Sequence, residues 1–307
     1  MRIGLMVGAT DGPGGTIDGL VAAAKRYEQT GFDSLWMANI FGLDAINTLA
    51  IVGRETSKIE LGTAVVPTYP RHPFAIAQQA LTTQAAARGR FALGIGLSHK
   101  IVIEDMLGFS FDKPAKHMRE YLHVLAPLLR GEPVAFKGEQ YRVNAGLQVP
   151  GATRVQLLVA ALGPTMLKLT GELADGTITW MTGAKTMENH IVPGLAEGTK
   201  AAGKPRSRVV AGFPIVVTRN VADAREKIAK QLVIYGQLPS YRAMLDREGL
   251  KGPADIALVG DETELRKGMK RLADSGVTDF IAAIANTEEG ATDRTFSFLA
   301  SEAGGRK

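Results

Sequence analysis

Short apolar runs bounded by turn residues alternate with amphipathic stretches of helical period from one end of the chain to the other. Runs at residues 3–7, 34–38, 59–66, 88–99, 156–160, 176–181, 209–217 and 279–285 read as strands. Helices are predicted over 16–30, with Thr16 as N-cap and Gly31 as stop, over 44–56, and from Pro73 to about 87, proline being well tolerated in a first helical turn. Others are predicted over 117–129, from Gly163-Pro164-Thr165 to about 173, over 223–235, 261–275 and 293–301. Eight strands with helices between them predict a (β/α)8 TIM barrel, one domain over residues 1–307. Three interruptions are expected: a long loop over 97–116, a hairpin within 133–143 turning near Lys137-Gly138, and an inserted helical element at 237–251. A doubly wound open sheet fits less well, because no Gly-x-Gly-x-x-Gly turn comes after the first strand. The stretch beyond that strand, Asp11-Gly12-Pro13-Gly14-Gly15, reads as a loop leaving it.

The fourth run, Arg-Gly-Arg-Phe-Ala-Leu-Gly-Ile-Gly-Leu-Ser-His over 88–99, has no polar alternation, so it is buried on both faces. Gly94 and Gly96 lie inside it. Glycine fills no core volume and loses more entropy than any other residue, so two in one strand imply that a backbone or a ligand approaches closely. Gly96, Leu97, Ser98 and His99 leave the strand at its carboxyl end, where barrels bind ligands, and form the candidate floor of a site. Tight barrel packing under a polar loop is the competing reading.

Composition narrows the chemistry. Hydrophobic residues at 45% and charged ones at 22% are those of a globular chain, and every apolar run is too short for a membrane span or a signal-peptide core, so a cytoplasmic protein is expected. With no cysteine there are no disulfides, thiolate metal sites or cysteine nucleophiles. The five histidines form no HExxH pair, so no metal is expected. The net charge of +5 comes with only 6% aromatics and no basic run longer than two, which favours an anionic small molecule over nucleic acid.

Four stretches, Leu61-Gly62-Thr63-Ala64-Val65, Arg90-Phe91-Ala92-Leu93-Gly94-Ile95-Gly96, Ala160-Ala161-Leu162-Gly163-Pro164 and Leu258-Val259-Gly260-Asp261, together resemble the bacterial-luciferase-like flavin and deazaflavin oxidoreductases. The resemblance spans essentially the whole chain and is closest to members that use coenzyme F420; FMN, in a monooxygenase served by a separate reductase, is the alternative, and a barrel that binds flavin without turnover a third. It implies hydride transfer between the deazaflavin and a small organic substrate, chemistry that the coenzyme supplies and the protein positions. It also implies a non-proline cis peptide joining Ala64 and Val65 beneath the ring. Asn39 would contact the ring edge. Sugar-phosphate-oxidising relatives carry an Asp there followed by a catalytic His; here Ile40 takes the second place, which cannot act as a base, so reduction of an acceptor is favoured over alcohol oxidation. His99 and Tyr69 are the candidate proton donors.

A helix N-terminus offers free N–H groups to a phosphate, and the resemblance assigns the coenzyme phosphate to Ala161, Gly163, Pro164 and Thr165; without it, Pro164-Thr165 is an ordinary helix start. Lys185 is placed to hold an acidic tail, although exposed lysines are usually only solvated. Trp180 and Met181, at the sixth strand's end, would wall the substrate pocket or else belong to the core. A homodimer through the helices over 44–56 and 74–87 is implied as well.

Overall fold

The computed structural model describes residues 1–8 and 15–305, so most of the loop expected over 11–15 lies outside the described residues. Strands β1 (Arg2–Val7), β2 (Ser34–Met37), β3 (Glu60–Thr63) with its continuation β4 (Val66–Pro67), and β5 (Phe91–Gly96) alternate with helices α1 (Ile17–Gln29), α2 (Ala45–Glu55) and α3 (Pro73–Ala86). Helix α4 (Pro114–Leu129) then leads to an antiparallel hairpin, β6 (Val134–Lys137) and β7 (Arg142–Ala145). Next come β8 (Gln156–Val159), α5 (Pro164–Leu173), β9 (Gly176–Trp180), a short α6 (Ala184–Thr186), α7 (Val192–Ala201) and β10 (Arg208–Val217). The remainder is α8 (Val221–Gln231), α9 (Val233–Gln237), α10 (Pro239–Glu248), α11 (Pro253–Ile256), β11 (Leu258–Gly260), α12 (Glu262–Asp274), β12 (Asp279–Ile284) and α13 (Ala291–Gly304). Parallel pairing runs β1, β2, β3/β4, β5, β8, β9, β10, β12 and back to β1, which closes the expected eight-position barrel. Among the described residues no helix is long and apolar enough to cross a membrane.

Local chemistry explains the element ends. Thr16 and Asp44 accept from the N–H groups of Gly19 and Asn47 and cap α1 and α2, while Pro73 and Pro164 occupy first turns where no N–H is needed. Trp36, Ala92, Leu158, Ile178, Val210 and Ile281 fill the barrel. Gly62 is small because the Trp36 ring lies where its Cβ would go.

Strand β3 and its continuation carry one residue more than β5. Gly62 pairs with Ala92 and Val66 with Ile95, so four steps on one strand face three on the other, which is a bulge. Thr63 spans the gap: Gly94 N donates to its Oγ1, which donates to Gly94 O, both at 2.8 Å. A Cβ on Gly94 would fall well inside contact distance of the Thr63 carbonyl oxygen, and one on Gly96 would lie 2.7 Å from Val65 Cγ2. The close approach expected at these glycines is therefore made by the neighbouring strand.

The structure corrects two readings. Residues 192–201 form the helix between β9 and β10, where none was expected. The insertion is also longer than 237–251. Strand β11 lies beside the last residues of β10, Leu258 opposite Ile215 and Gly260 opposite Val217, so residues 218–257 leave and re-enter at the carboxyl end of β10. The return path to β12 is α12, and the helix expected over 223–235 is split at Leu232 into α8 and α9 within the insertion.

Opposite the mouth, at the amino ends of the strands, Arg208 donates to both oxygens of Asp279 (3.0 and 2.6 Å) and approaches Glu60 at 2.7 Å, while Arg2 contacts Glu60 and Asp279 at 2.9 and 3.2 Å. Burial pushes the Asp279 carboxyl up, but hydrogen bonds and charge from Arg208 outweigh it and hold the group below the usual range. This ionic plug closes the floor of the barrel.

Candidate active site

Residues read from the sequence as a site lie beyond five consecutive barrel positions, β2, β3/β4, β5, β8 and β9, all at the carboxyl ends. Ala64-Val65 is a cis peptide, as the resemblance implied, and sits in the bulge between β3 and β4. Both side chains are partly exposed above the filled barrel, next to Ala160 from β8. Ser98 (φ 61°) and Met181 (φ 48°), just past β5 and β9, take the left-handed conformation that side chains other than glycine rarely adopt, and there the chain turns off the strand path.

Asn39 is half-buried two residues beyond β2, and its Oδ1 accepts from Ala45 N at 2.9 Å. One lone pair of its oxygen thus holds the entry of α2, and what a ligand meets is a neutral carboxamide that can donate through its NH₂ and is no base. Burial lowers the pKa of His99, so the imidazole is neutral at physiological pH. Its ring lies 5.9 Å from Tyr241 of the insertion; Tyr241 meets Tyr235, and Tyr235 meets Trp180. The insertion thereby links the β5 and β9 loops across the mouth.

Tyr69 stacks on His117 with ring centroids 3.9 Å apart and planes 4° from parallel, and Phe111 of the long loop lies 5.3 Å away. Burial, reinforced by Asp112 and Glu104, pushes the Tyr69 hydroxyl up to about 12, so it keeps its proton. His117 is held neutral chiefly by burial, and in the Nδ1-protonated tautomer it accepts from Thr68 Oγ1 at 2.9 Å and donates to Gln140 Oε1 at 3.2 Å. The hairpin tip that supplies Gln140 is anchored by Glu120, whose carboxylate accepts from the N–H groups of Glu139, Gln140 and Tyr141. Sequence reasoning missed His117, for which the only signal was its place in the first turn of α4, behind a loop that carries Phe109 and Phe111.

At the start of α5, Gly163, Pro164 and Thr165 are exposed, no side chain caps the helix, and Ala161 is buried beneath them. His190, also missed, approaches Leu162 O at 2.7 Å through Nε2 from a π-helical turn over Met187–Ile191 and braces this loop. Lys185 is exposed at α6, and no hydrogen bond among the described residues joins it to Gly163 or Thr165.

Among the described residues, buried donor atoms without a partner beyond the strand ends are Tyr69 Oη, Arg71 Nη1 and Trp180 Nε1, together with the hydroxyls of Thr186 and Thr287. Buried donors left unpaired cost about 1–3 kcal/mol each, so a ligand here has to offer acceptors. A flavin-type ring with carbonyl edges and a phosphate tail meets that demand, the carbonyls facing such donors and the phosphate the free N–H groups of α5. A separate cavity of about 250 Å³ lies between α4, α5 and the start of β8, lined by Arg154, Asp175 and Lys204 among others. It is away from the strand ends, and its charges are taken up locally, Arg154 by Asp175 and Lys204 by the carbonyls ending α5.

A family model described as luciferase-like monooxygenase matches residues 1–296. A Mycobacterium tuberculosis protein provisionally named as a coenzyme F420-dependent oxidoreductase is 30% identical over 319 residues, covering 88% of this chain and 91% of the relative. Among solved structures, a coenzyme F420-dependent tetrahydromethanopterin reductase from Methanopyrus kandleri aligns with TM-score 0.80 at 22% identity, over 98% of this chain and 97% of that one. The oxygenating constituent of 3,6-diketocamphane monooxygenase from Pseudomonas putida, in complex with FMN, aligns with TM-score 0.75 at 15% identity, over 100% and 97%. Both structural likenesses concern the fold.

Proposed function

The chain belongs to the luciferase-like monooxygenase family, and from that premise we propose that it is an oxidoreductase using coenzyme F420 to reduce a small organic substrate. The observation that supports this best is the set of unpartnered donors, Tyr69 Oη, Arg71 Nη1 and Trp180 Nε1, beside a neutral His99 and an Asn39 with only its amide to offer. Such a mouth orients acceptor groups, and two of its carboxylates, Asp44 and Glu104, are paired with Arg71 and Lys100. When bound, the deazaflavin supplies hydride transfer at one ring carbon. The protein's part is to seat the ring over Ala64-Val65 and over Gly96, Leu97 and Ser98, to hold the phosphate at Ala161, Gly163, Pro164 and Thr165, and to draw the acidic tail toward Lys185. Of the two candidate proton donors, Tyr69 carries a proton at neutral pH on a hydroxyl that burial makes a weak acid, and His99 is uncharged; both stay candidates in this reading. Ile40 in place of a base supports the reductive direction.

The test is a pair of titrations, F420 and FMN, at low and high salt. F420 is expected to bind more tightly, with an advantage that shrinks as salt rises, because attraction between the tail and Lys185 is screened while ring contacts are not. Equal affinities, or an advantage indifferent to salt, would favour an FMN-linked monooxygenase.

A further inference from the structure

The most exposed large apolar side chains are concentrated at the mouth. Ile40 and Phe41 come after β2, Met106 and Phe109 after β5, and Val233 and Ile234 belong to the insertion after β10; Phe41 is 66% exposed, Met106 and Val233 58% each. These strands hold the second, fourth and seventh positions of the barrel, so the side chains surround the opening instead of forming one flat patch on its flank. Apolar groups continue inward: half-buried Leu97, Ala64, Val65 and Trp180, and buried Met181. Several charged groups on the same loops are paired, Arg71 with Asp44, Lys100 with Glu104 at 3.4 Å, and Lys113 and Lys116 with the single Glu139, while Asp105 and Asp112 on the β5 loop lie outside these pairs.

Resting on the coenzyme reading, we propose that the substrate is an uncharged, elongated apolar molecule with one hydrogen-bond-accepting group, the group directed inward to the donors and the apolar body lying across the rim. A charged or sugar-like substrate would leave the apolar rim in water, so burying it there would gain nothing from these side chains. An apolar body removes the rim from water and needs no partner there. Selectivity would then come from chain length.

Isothermal titration of the F420-loaded protein with 2-alkanones from butanone to 2-decanone tests this. Affinity is expected to tighten by about fourfold per methylene over the longer members, the worth of burying one CH₂ group. In a Phe41→Ser/Phe109→Ser variant the gain per methylene should fall below about twofold; both side chains are exposed, so the fold is spared. A flat series in the wild type, or an unchanged slope in the variant, overturns the proposal. Sedimentation with phosphatidylcholine vesicles that depends on Phe41 and Phe109, alongside a flat series, would assign the rim to a lipid surface and overturn it too. Absence of F420 binding, with the slope retained when the ketones are titrated into the coenzyme-free protein, would instead refute the coenzyme reading while sustaining this one.

Discussion

Arg208→Met tests the plug at the floor of the barrel. In the native protein two arginines, Arg2 and Arg208, face two carboxylates, Glu60 and Asp279, so the cluster is neutral. Methionine fills much of the arginine volume but leaves Arg2 alone against both acids, and Asp279 is almost wholly buried, its side chain only 3% exposed. Breaking a buried pair by removing one partner costs about 3–5 kcal/mol. At roughly 2 °C per kcal/mol for a chain of this size, Tm should fall by about 6–10 °C. The pH dependence gives a second, independent check. Native Asp279 has a pKa below the ordinary 3.8, so its stabilisation is complete above that value and is lost as pH falls through the lowered one. In the variant burial dominates and raises that pKa, so the penalty is full at neutral pH and is relieved as the group takes up a proton on acidification. Scanning calorimetry at pH 7.5 and 4.5 should show the gap between the proteins narrowing at the lower pH. A Tm loss under 2 °C, or a gap that is constant or widens, would refute the reasoning. Arg208→Met/Asp279→Leu should recover part of the loss, since the Arg2–Glu60 pair then stands alone.

Three further substitutions probe the turn that leads into β3 and the strand ends at the site. Glu28 accepts from the N–H groups of Ser57, Lys58 and Ile59 and from Ser57 Oγ; burial raises its pKa, but these bonds outweigh it and bring the group to about 2. After discounting for solvent screening at this half-exposed position, Glu28→Gln should lose about 1–2 kcal/mol in urea unfolding at pH 7, and the difference should close between pH 4.5 and 2; a difference that persists at pH 2 would contradict the assignment. Gly94→Ala drives a methyl into the Thr63 carbonyl and should cost about 1–3 kcal/mol or more while weakening coenzyme binding through the displaced bulge. Gly163→Ala meets nothing within 4 Å at a φ of −80°, so it should leave stability unchanged, and equal thermal shifts for the two variants would show that the glycines are not distinguished by space.

The barrel was legible because its strands are buried and apolar and its helices announce their ends through Thr16, Asp44, Pro73, Pro164 and Asp261. Helix α7 was not, and the reason is physical: it crosses α5 backbone to backbone, a Cβ on Gly198 meeting the Lys168 carbonyl and one on Gly171 the Leu195 carbonyl. Glycines at that crossing remove the large apolar residues by which a helix is recognised. The extent of the insertion was hidden in the register of β11, a three-residue strand. At the site, strand ends located Asn39, Tyr69, His99 and Trp180, but which atoms are engaged depends on partners distant in sequence. Nothing in the sequence says that Asn39 gives its oxygen to α2, that Tyr69 rests on His117, or that Trp180 keeps an unpaired N–H.

The two ends of the barrel divide stability from chemistry in a way that can be reasoned through one strand. Arg208 begins β10, and Gly212, over which the Trp180 ring packs at 2.8 Å from a would-be Cβ, stands four residues on, about 13 Å at the rise of a parallel strand. Groups so separated and sharing no partner perturb one another by no more than a few tenths of a kcal/mol. Between them lies the apolar layer of Trp36, Leu158, Val210 and Ile281, whose one polar side-chain atom, Trp36 Nε1, donates to Ser34 Oγ at 2.8 Å. Arg208→Met should therefore lower Tm without changing coenzyme affinity at temperatures where both proteins are folded, whereas Gly94→Ala, on the strand that faces the bulge, should change both. If Arg208→Met weakened the coenzyme as much as it weakened the fold, the floor and the mouth would have to be coupled through that layer, and the long loops could not be varied independently of the plug.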